Sequence, residues 1–414
     1  MIRSLIAASL LLSAAPVVAQ DELAEAREIL AEAPIFDGHN DLPFAIRRAN
    51  DSRISDFPFA ALTEPFSRIA TDGDGLIAGG VGAQFWSVYV PATIPEPEAA
   101  VMVLEQIDLT DRLIAQYPDR LAKADTAADV RRIMAEGKVA GMYGVEGGHA
   151  IANSLPVLRK LYDLGARYMT LTHSKSLDWV DSATDVPKSD GLSPFGEEVV
   201  REMNRLGMLV DLSHVSEASM NDALDVSEAP VIFSHSSARA VTGHPRNVPD
   251  AVLQRLPENG GVIMITYVEG FVNEATRQWW GQAAGERTRL ETLNPGLTLE
   301  EIDQMMRDWR EANPAPKATL SDVADHIDHV RDLIGVDYIG IGGDYDGIPT
   351  YPTGLEDVST YPALFAELLR RGYSRDDLAK ISSGNVLRVL EQAEAVAARL
   401  QSERGPSEMR FPEE

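Results

Sequence analysis

The chain contains no cysteine in its 414 residues. Disulfides, thiol nucleophiles, Cys-ligated zinc and the lipid-bearing cysteine of a lipoprotein are therefore excluded, and any metal ligand must be His, Asp, Glu or water. Basic residues are scarce beside acids, 37 Lys and Arg against 64 Asp and Glu, and the net charge of −27 would repel a phosphate backbone. Nucleic acid is not an expected partner. No internal repeat, low-complexity tract or long Gly/Ser linker divides the chain. With 44% hydrophobic and 24% charged residues, a packed globular core is expected, as two or three domains or as one large (β/α) barrel with insertions.

The N-terminus carries Arg3, an apolar run from Leu5 to Val18 and small residues at Val17-Val18-Ala19 before Gln20. This order matches a secretory signal cleaved after Ala19, and the run is short for a membrane span. An exported protein, periplasmic or secreted, is the expectation. Residues 20–404 are expected to form one catalytic domain. Residues 405–414 read as a polar, acidic tail without a glycolipid-anchor signal or second span, so the mature chain should carry no membrane anchor.

Short β-rich runs alternate with helical periodicity. Strands are predicted at 34–37, 81–90, 139–145, 168–172, 208–212, 230–234, 262–267 and 338–342. Between them, apolar residues recur every three or four positions, as at 101–117, 155–164, 195–206, 319–334 and 361–371. Eight such repeats predict an α/β fold with a closed (β/α)8 barrel of the TIM type, with an open doubly wound sheet as the alternative. An insertion at about 272–316, between the seventh and eighth strands, contains Trp279-Trp280 and the capping-box pattern Thr298-x-x-Glu301. It could be a lid, a subunit contact or plain surface helix.

Polar residues follow the strands: His39 and Asp41 the first, Glu146 the third, His173 the fourth, His214 the fifth, His235 the sixth and Asp344 the eighth. In a parallel barrel these ends open on one face, so the residues should converge. His39-x-Asp41 can place imidazole and carboxylate on the same side of an extended backbone. Three imidazoles and two carboxylates exceed the needs of one tetrahedral zinc but suit two adjacent divalent ions. Glu146 has two oxygens with which to bridge them. His326 and His329, within a helical stretch, are expected on an exposed helix face, and His149 and His244 in loops near the pocket.

The motifs Asp37-Gly38-His39-Asn40-Asp41, Gly144-Val145-Glu146-Gly147-Gly148-His149, Thr170-Leu171-Thr172-His173-Ser174, Asp211-Leu212-Ser213-His214-Val215-Ser216, the run from Val231 to Asp250, and Ile339 to Gly347 together resemble the membrane (renal) dipeptidase family of zinc peptidases. The resemblance covers almost all of the mature chain. It implies a (β/α)8 barrel that hydrolyses dipeptides with two Zn2+ ions per subunit, Mn2+ or Co2+ being possible substitutes, and that usually forms homodimers. By the same resemblance His39 and Asp41 bind one metal, His214 and His235 the other, and Glu146 bridges them. His173 contacts the reacting carbonyl, Arg246 holds the substrate carboxylate, and Asp344 handles protons and the substrate amine. A family tyrosine falls at Phe271 here, with Tyr267 nearby, so no tyrosine is assigned.

These groups suit hydrolysis by a hydroxide shared between the ions, without a covalent intermediate. Two other readings compete. A lactonase, phosphotriesterase or cyclic amidase of the same barrel class commonly bridges its metals with a carboxylated lysine, whereas here Glu146 occupies the bridge position and no Lys sits at a convincing strand end. A non-catalytic metal- or peptide-binding protein would not need both His173 and Asp344.

Overall fold

The computed structural model describes residues 15–412, with side chains from residue 21. Residues 1–14 of the expected leader therefore lie outside the described part. Nine parallel strands follow in order: β1 (Ile35–Asn40), β2 (Val81–Ser87), β3 (Leu121–Lys123), β4 (Val139–Glu146), β5 (Ala166–Thr170), β6 (Leu209–Asp211), β7 (Ile232–Ser236), β8 (Val262–Ile265) and β9 (Ile339–Ile341). Pairing runs β2-β1-β9-β8-β7-β6-β5-β4, and β2 pairs with β4 from Ala83↔Ala140 to Ser87↔Gly144. That last pairing closes the ring and excludes the open sheet. Each of the eight strands in the ring overlaps a predicted one. β3, which was not predicted, pairs with the first half of β4 on the edge that β5 takes further along.

The strands are buried throughout because the barrel has two cores. Inside, Phe36, Phe85, Met142, Tyr168 and Met264 fill the lumen, and Val386, Leu387, Val389 and Leu390 of the C-terminal helix (Asn385–Glu403) join the same cluster. Outside, the helices lay apolar stripes on the strands, which is why the strands read as continuous apolar runs and not as alternating ones. Side chains stop the helices from fraying at their starts: Ser193, Ser216 and Thr319 accept the N–H groups of Gly196, Ser219 and Asp322. Between β8 and β9, helices Glu274–Leu293 and Leu299–Ala312 form a hairpin over a small core of Ala283, Leu290, Ile302 and Met306, and the Thr298/Glu301 capping box is made. Among the described residues no helix is long and apolar enough to cross a membrane.

Candidate active site

His39 lies inside β1, and Asp41 follows it at the start of helix Leu42–Asn50. The cap of that helix falls to Asn40, which accepts the Leu42 N–H at 2.9 Å, so the Asp41 carboxylate is free to turn inward. Its Oδ2 lies 3.1 Å from His39 Nε2. Glu146 ends β4, and Gly147 after it takes φ +114°, a conformation that only glycine adopts cheaply. His235 belongs to β7, while His173, His214 and Asp344 stand just past their strands. His214 and Asp344 have φ of 71° and 60°, backbone strain of the kind that concentrates at functional sites.

Glu146 sits at the centre. Its Oε2 lies 3.5 Å from His39 Nε2, and its Oε1 lies 3.2 Å from His214 Nε2, 3.5 Å from His235 Nε2 and 3.8 Å from His173 Nε2. Asp344 Oδ1 is 4.0 Å from His39 Nε2. Three overlapping groups could each hold a metal ion: His39, Glu146 and His235; Glu146, His173 and His214; His39, Asp41 and Asp344. All the residues expected to converge thus do so, through β-strands separated by up to three hundred positions.

The electrostatics fit a cation. Burial holds His214 and His235 well below the ordinary imidazole value, helped for both by Arg246, which favours the neutral, metal-ligating form of each ring. Their Nε2 atoms nonetheless face each other at 2.9 Å. Burial alone would raise Glu146, but His39, His214 and His173 prevail and hold it well below the usual carboxylate range. Burial would likewise depress His39, but Tyr168, Glu146 and Asp41 prevail and lift it well above its ordinary value, so a cation at Nε2 has to displace a proton. Burial pushes Asp344 well above the carboxylate range, with Asp41 and Glu146 reinforcing and His39 and Arg246 opposing. Two buried imidazole nitrogens turned toward each other and toward a shared carboxylate are the donor set of a hard or borderline divalent ion.

These groups open on a cavity of about 320 Å³, at the small end of the range for small-molecule sites, ~300–1,000 Å³. Arg246 is buried against it with no carboxylate in ion-pair reach. Its guanidinium donates to the His235 carbonyl at 3.3 Å and Ser236 Oγ at 3.4 Å, lies over the Phe271 ring, and leaves Nε without a partner. Burial pushes it down to about 10, so it remains a cation at neutral pH. Phe44, Arg48, Tyr89, Val268, Asp346 and Ile348 also line the cavity, none of them singled out from sequence. Ser87, which donates to Glu146 Oε2 at 3.2 Å, was missed as well, though it ends β2 on the same face. Tyr267 is fully buried against Tyr345 and Tyr361 and is not part of the lining, whereas Phe271 is.

The remaining histidines stand apart from the cluster. His244 stacks on Phe271 and accepts the Arg246 N–H at 3.1 Å. His149 is buried, with burial pushing it down to about 4. His329 is half-buried and pairs with Asp250 at 2.8 Å. His326 corrects the expectation of an exposed helix face: it is fully buried, accepts the Ala238 N–H at 3.0 Å, and its Nε2 meets the Val272 carbonyl at 3.2 Å. It shares the inward stripe of Val323, Ile327 and Val330, so the helix turns it toward the barrel.

The profile of the membrane dipeptidase family, peptidase family M19, matches residues 23–404. The chain belongs to that family. Dipeptidase 3 of Mus musculus is 41% identical over 394 residues, 94% of this chain and 70% of the relative. Dipeptidase tcpJ of Claviceps purpurea (strain 20.1) is 43% identical over 373 residues, 87% of this chain and 77% of the relative. Among solved structures, the probable dipeptidase PvdM from Pseudomonas aeruginosa shares the fold at a TM-score of 0.79 and 23% identity, covering 91% of this chain and 100% of that one. A metallo peptidase from Rhodobacter sphaeroides, solved with a phosphinate mimic of the dipeptide L-Ala-D-Ala, aligns at a TM-score of 0.71 and 25% identity, over 87% of this chain and 99% of that one.

Proposed function

We propose that the protein hydrolyses dipeptides to free amino acids with two divalent cations, Zn2+ by preference and Mn2+ or Co2+ as substitutes. Family membership makes it a metal-dependent dipeptidase. The number of ions and the role of each residue are the proposal. His39 and Asp41 would hold one ion, His214 and His235 the other, and Glu146 would bridge them. The observation that carries this is the division of Glu146, one oxygen toward His39 and the other toward His214 and His235.

Divalent ions bound there would supply Lewis acidity, making a water nucleophilic near neutral pH and polarising the scissile carbonyl. The chain's own residues do the rest. His173 donates from Nε2 to the carbonyl oxygen as charge develops, with Nδ1 accepting from Ser174 Oγ at 3.1 Å. Asp344 takes the proton of the nucleophile and returns it to the departing amine, a task suited to a carboxyl whose affinity for protons is raised. Arg246 offers paired N–H groups to the carboxylate one residue beyond the scissile bond. A small cavity with a fixed cation at its wall suits a dipeptide and not a longer chain.

The leader-like N-terminus and the family resemblance extend the proposal to an exported, periplasmic or secreted homodimer. No lysine lines the cavity, so nothing favours the carboxylated-lysine bridge of lactonases or cyclic amidases. The test is a purified sample supplied with Zn2+ and a simple dipeptide. Release of free amino acids that stops with a chelator and resumes with Zn2+ is expected. Metal uptake without hydrolysis of any dipeptide would overturn the catalytic reading in favour of a binding protein.

A further inference from the structure

The pairing of β7 with β8 slips between Phe233 and Ser236. Neighbours in a regular strand point to opposite faces, but at this slip Ser234 Oγ comes within 2.8 Å of His235 Nδ1. Ser234 has one hydroxyl proton, and it goes to Asp211 Oδ2 at 2.6 Å. Asp211, fully buried at the end of β6, accepts the N–H groups of Ser213 and Ser234 on one oxygen and the hydroxyls of Thr170 and Ser234 on the other. Four donors converge on it, so it acts as an acceptor only, as an ionised carboxylate does. Ser234 can therefore offer His235 nothing but a lone pair. Nδ1 must carry the imidazole proton, and Nε2 keeps its lone pair facing Glu146. His214 beside it has no such partner, its buried Nδ1 being unpaired.

We propose that Asp211 and Ser234 form a relay that fixes the tautomer and ring orientation of His235, making both of them positioning residues of the metal centre. This rests on reading His235 as a metal ligand. The relay has a polarity that can be reversed. In Asp211→Asn the side-chain amide would donate to Ser234 Oγ, the hydroxyl proton would turn to His235 Nδ1, and the ring proton would move to Nε2, where it blocks coordination.

The experiment loads the full chain with Co2+ and measures affinity by chelator competition, together with the paramagnetically shifted Nδ1–H proton resonance of His235. Ser234→Ala is expected to bind Co2+ about 10–100-fold more weakly and to lose the slowly exchanging Nδ1–H signal. Asp211→Asn should lose at least as much. Thr170→Val, which removes a different hydrogen bond to the same Asp211 oxygen, should keep both affinity and signal. Ser234→Ala affinity within about twofold of wild type with the signal intact would overturn the relay, since removing the partner of a metal-ligating histidine costs about tenfold or more. So would Thr170→Val losing as much as Ser234→Ala, because Asp211 would then matter only as packing. Should Asp211→Asn fail to fold, the Ser234→Ala and Thr170→Val pair still decides. A wild-type chain that takes up no Co2+ would instead overturn the metal reading itself.

Discussion

Gly144 lies beneath the ring of Tyr168, so closely that a methyl group on Gly144 would fall inside that ring, and the phenol so seated reaches His39 Nδ1 at 2.7 Å. The absence of a side chain in β4 thus decides where a side chain of β5 stands, and that side chain orients the imidazole of β1. Gly144→Ala is expected to displace Tyr168 and cost about 1–3 kcal/mol through overpacking. Tyr168→Phe keeps the volume and removes only the hydroxyl. It should fold normally but hold metal about 10–100-fold more weakly, since His39 loses the partner of its second nitrogen. Chelator competition and denaturant unfolding separate the two effects, and wild-type affinity in Tyr168→Phe would remove the phenol from the account.

The Asp344 side chain has no hydrogen-bond partner among the described residues, while its backbone N–H donates to the His39 carbonyl at 3.1 Å. Asp344→Asn preserves shape and abolishes proton exchange. The expected result is full metal content with kcat reduced about 10²–10⁴-fold, the range for loss of a positioned acid or base. Near-normal turnover would leave Asp344 without a proton-transfer role.

Arg246 is buried with no direct ion pair among the described residues, an arrangement that costs stability unless a substrate supplies the charge. Arg246→Ala is expected to raise KM for dipeptides about 10–100-fold, the equivalent of a charge-assisted hydrogen bond of ~1.5–3 kcal/mol. C-terminally amidated dipeptides should be poor substrates of the wild type and little affected by the substitution. Equal losses on both substrate classes would count against a carboxylate clamp.

Much of this was legible in the chain because a parallel barrel turns sequence order into geometry. The eight ring strands are buried on both faces and most begin as short apolar runs, and whatever polar residue ends one is delivered to one rim. His39, Asp41, Glu146, His214 and His235 could be placed for that reason alone. The parts of the site carried beyond the strand ends could not. Tyr89 stands in the loop past β2, and Phe44 and Arg48 reach the cavity from the exposed-reading side of helix Leu42–Asn50, four residues apart, where nothing in the pattern marks a site. Asp346 is held by the Ala70 N–H from 276 positions away. β3 is three residues long and has no pattern of its own to read. His326 is a different case, because the signal was present: Val323, Ile327 and Val330 mark an inward stripe at three- and four-residue spacing, and position 326 falls on it. The identity of the residue, not its place, suggested exposure.

That buried histidine gives a pH dependence of known sign. Burial pushes His326 down to about 4, against an unfolded value of about 6.5. Because the folded value is the lower one, the group is neutral in both states above the unfolded value and contributes no penalty there. As pH falls below about 6.5 the unfolded chain gains a proton that the folded chain refuses, and stability is lost until the folded value is passed. At pH 5 the loss from this one group comes to about 2 kcal/mol. Glutamine can keep neutral polar contacts near the Ala238 N–H and the Val272 carbonyl without titrating. Urea unfolding of wild type and His326→Gln at neutral pH and at about pH 5 isolates the share of this residue from that of the other buried imidazoles. The wild type should lose about 2 kcal/mol more than the variant between the two conditions. Equal losses would mean that His326 is protonated alike in both states, and would remove it from the acid sensitivity of the fold.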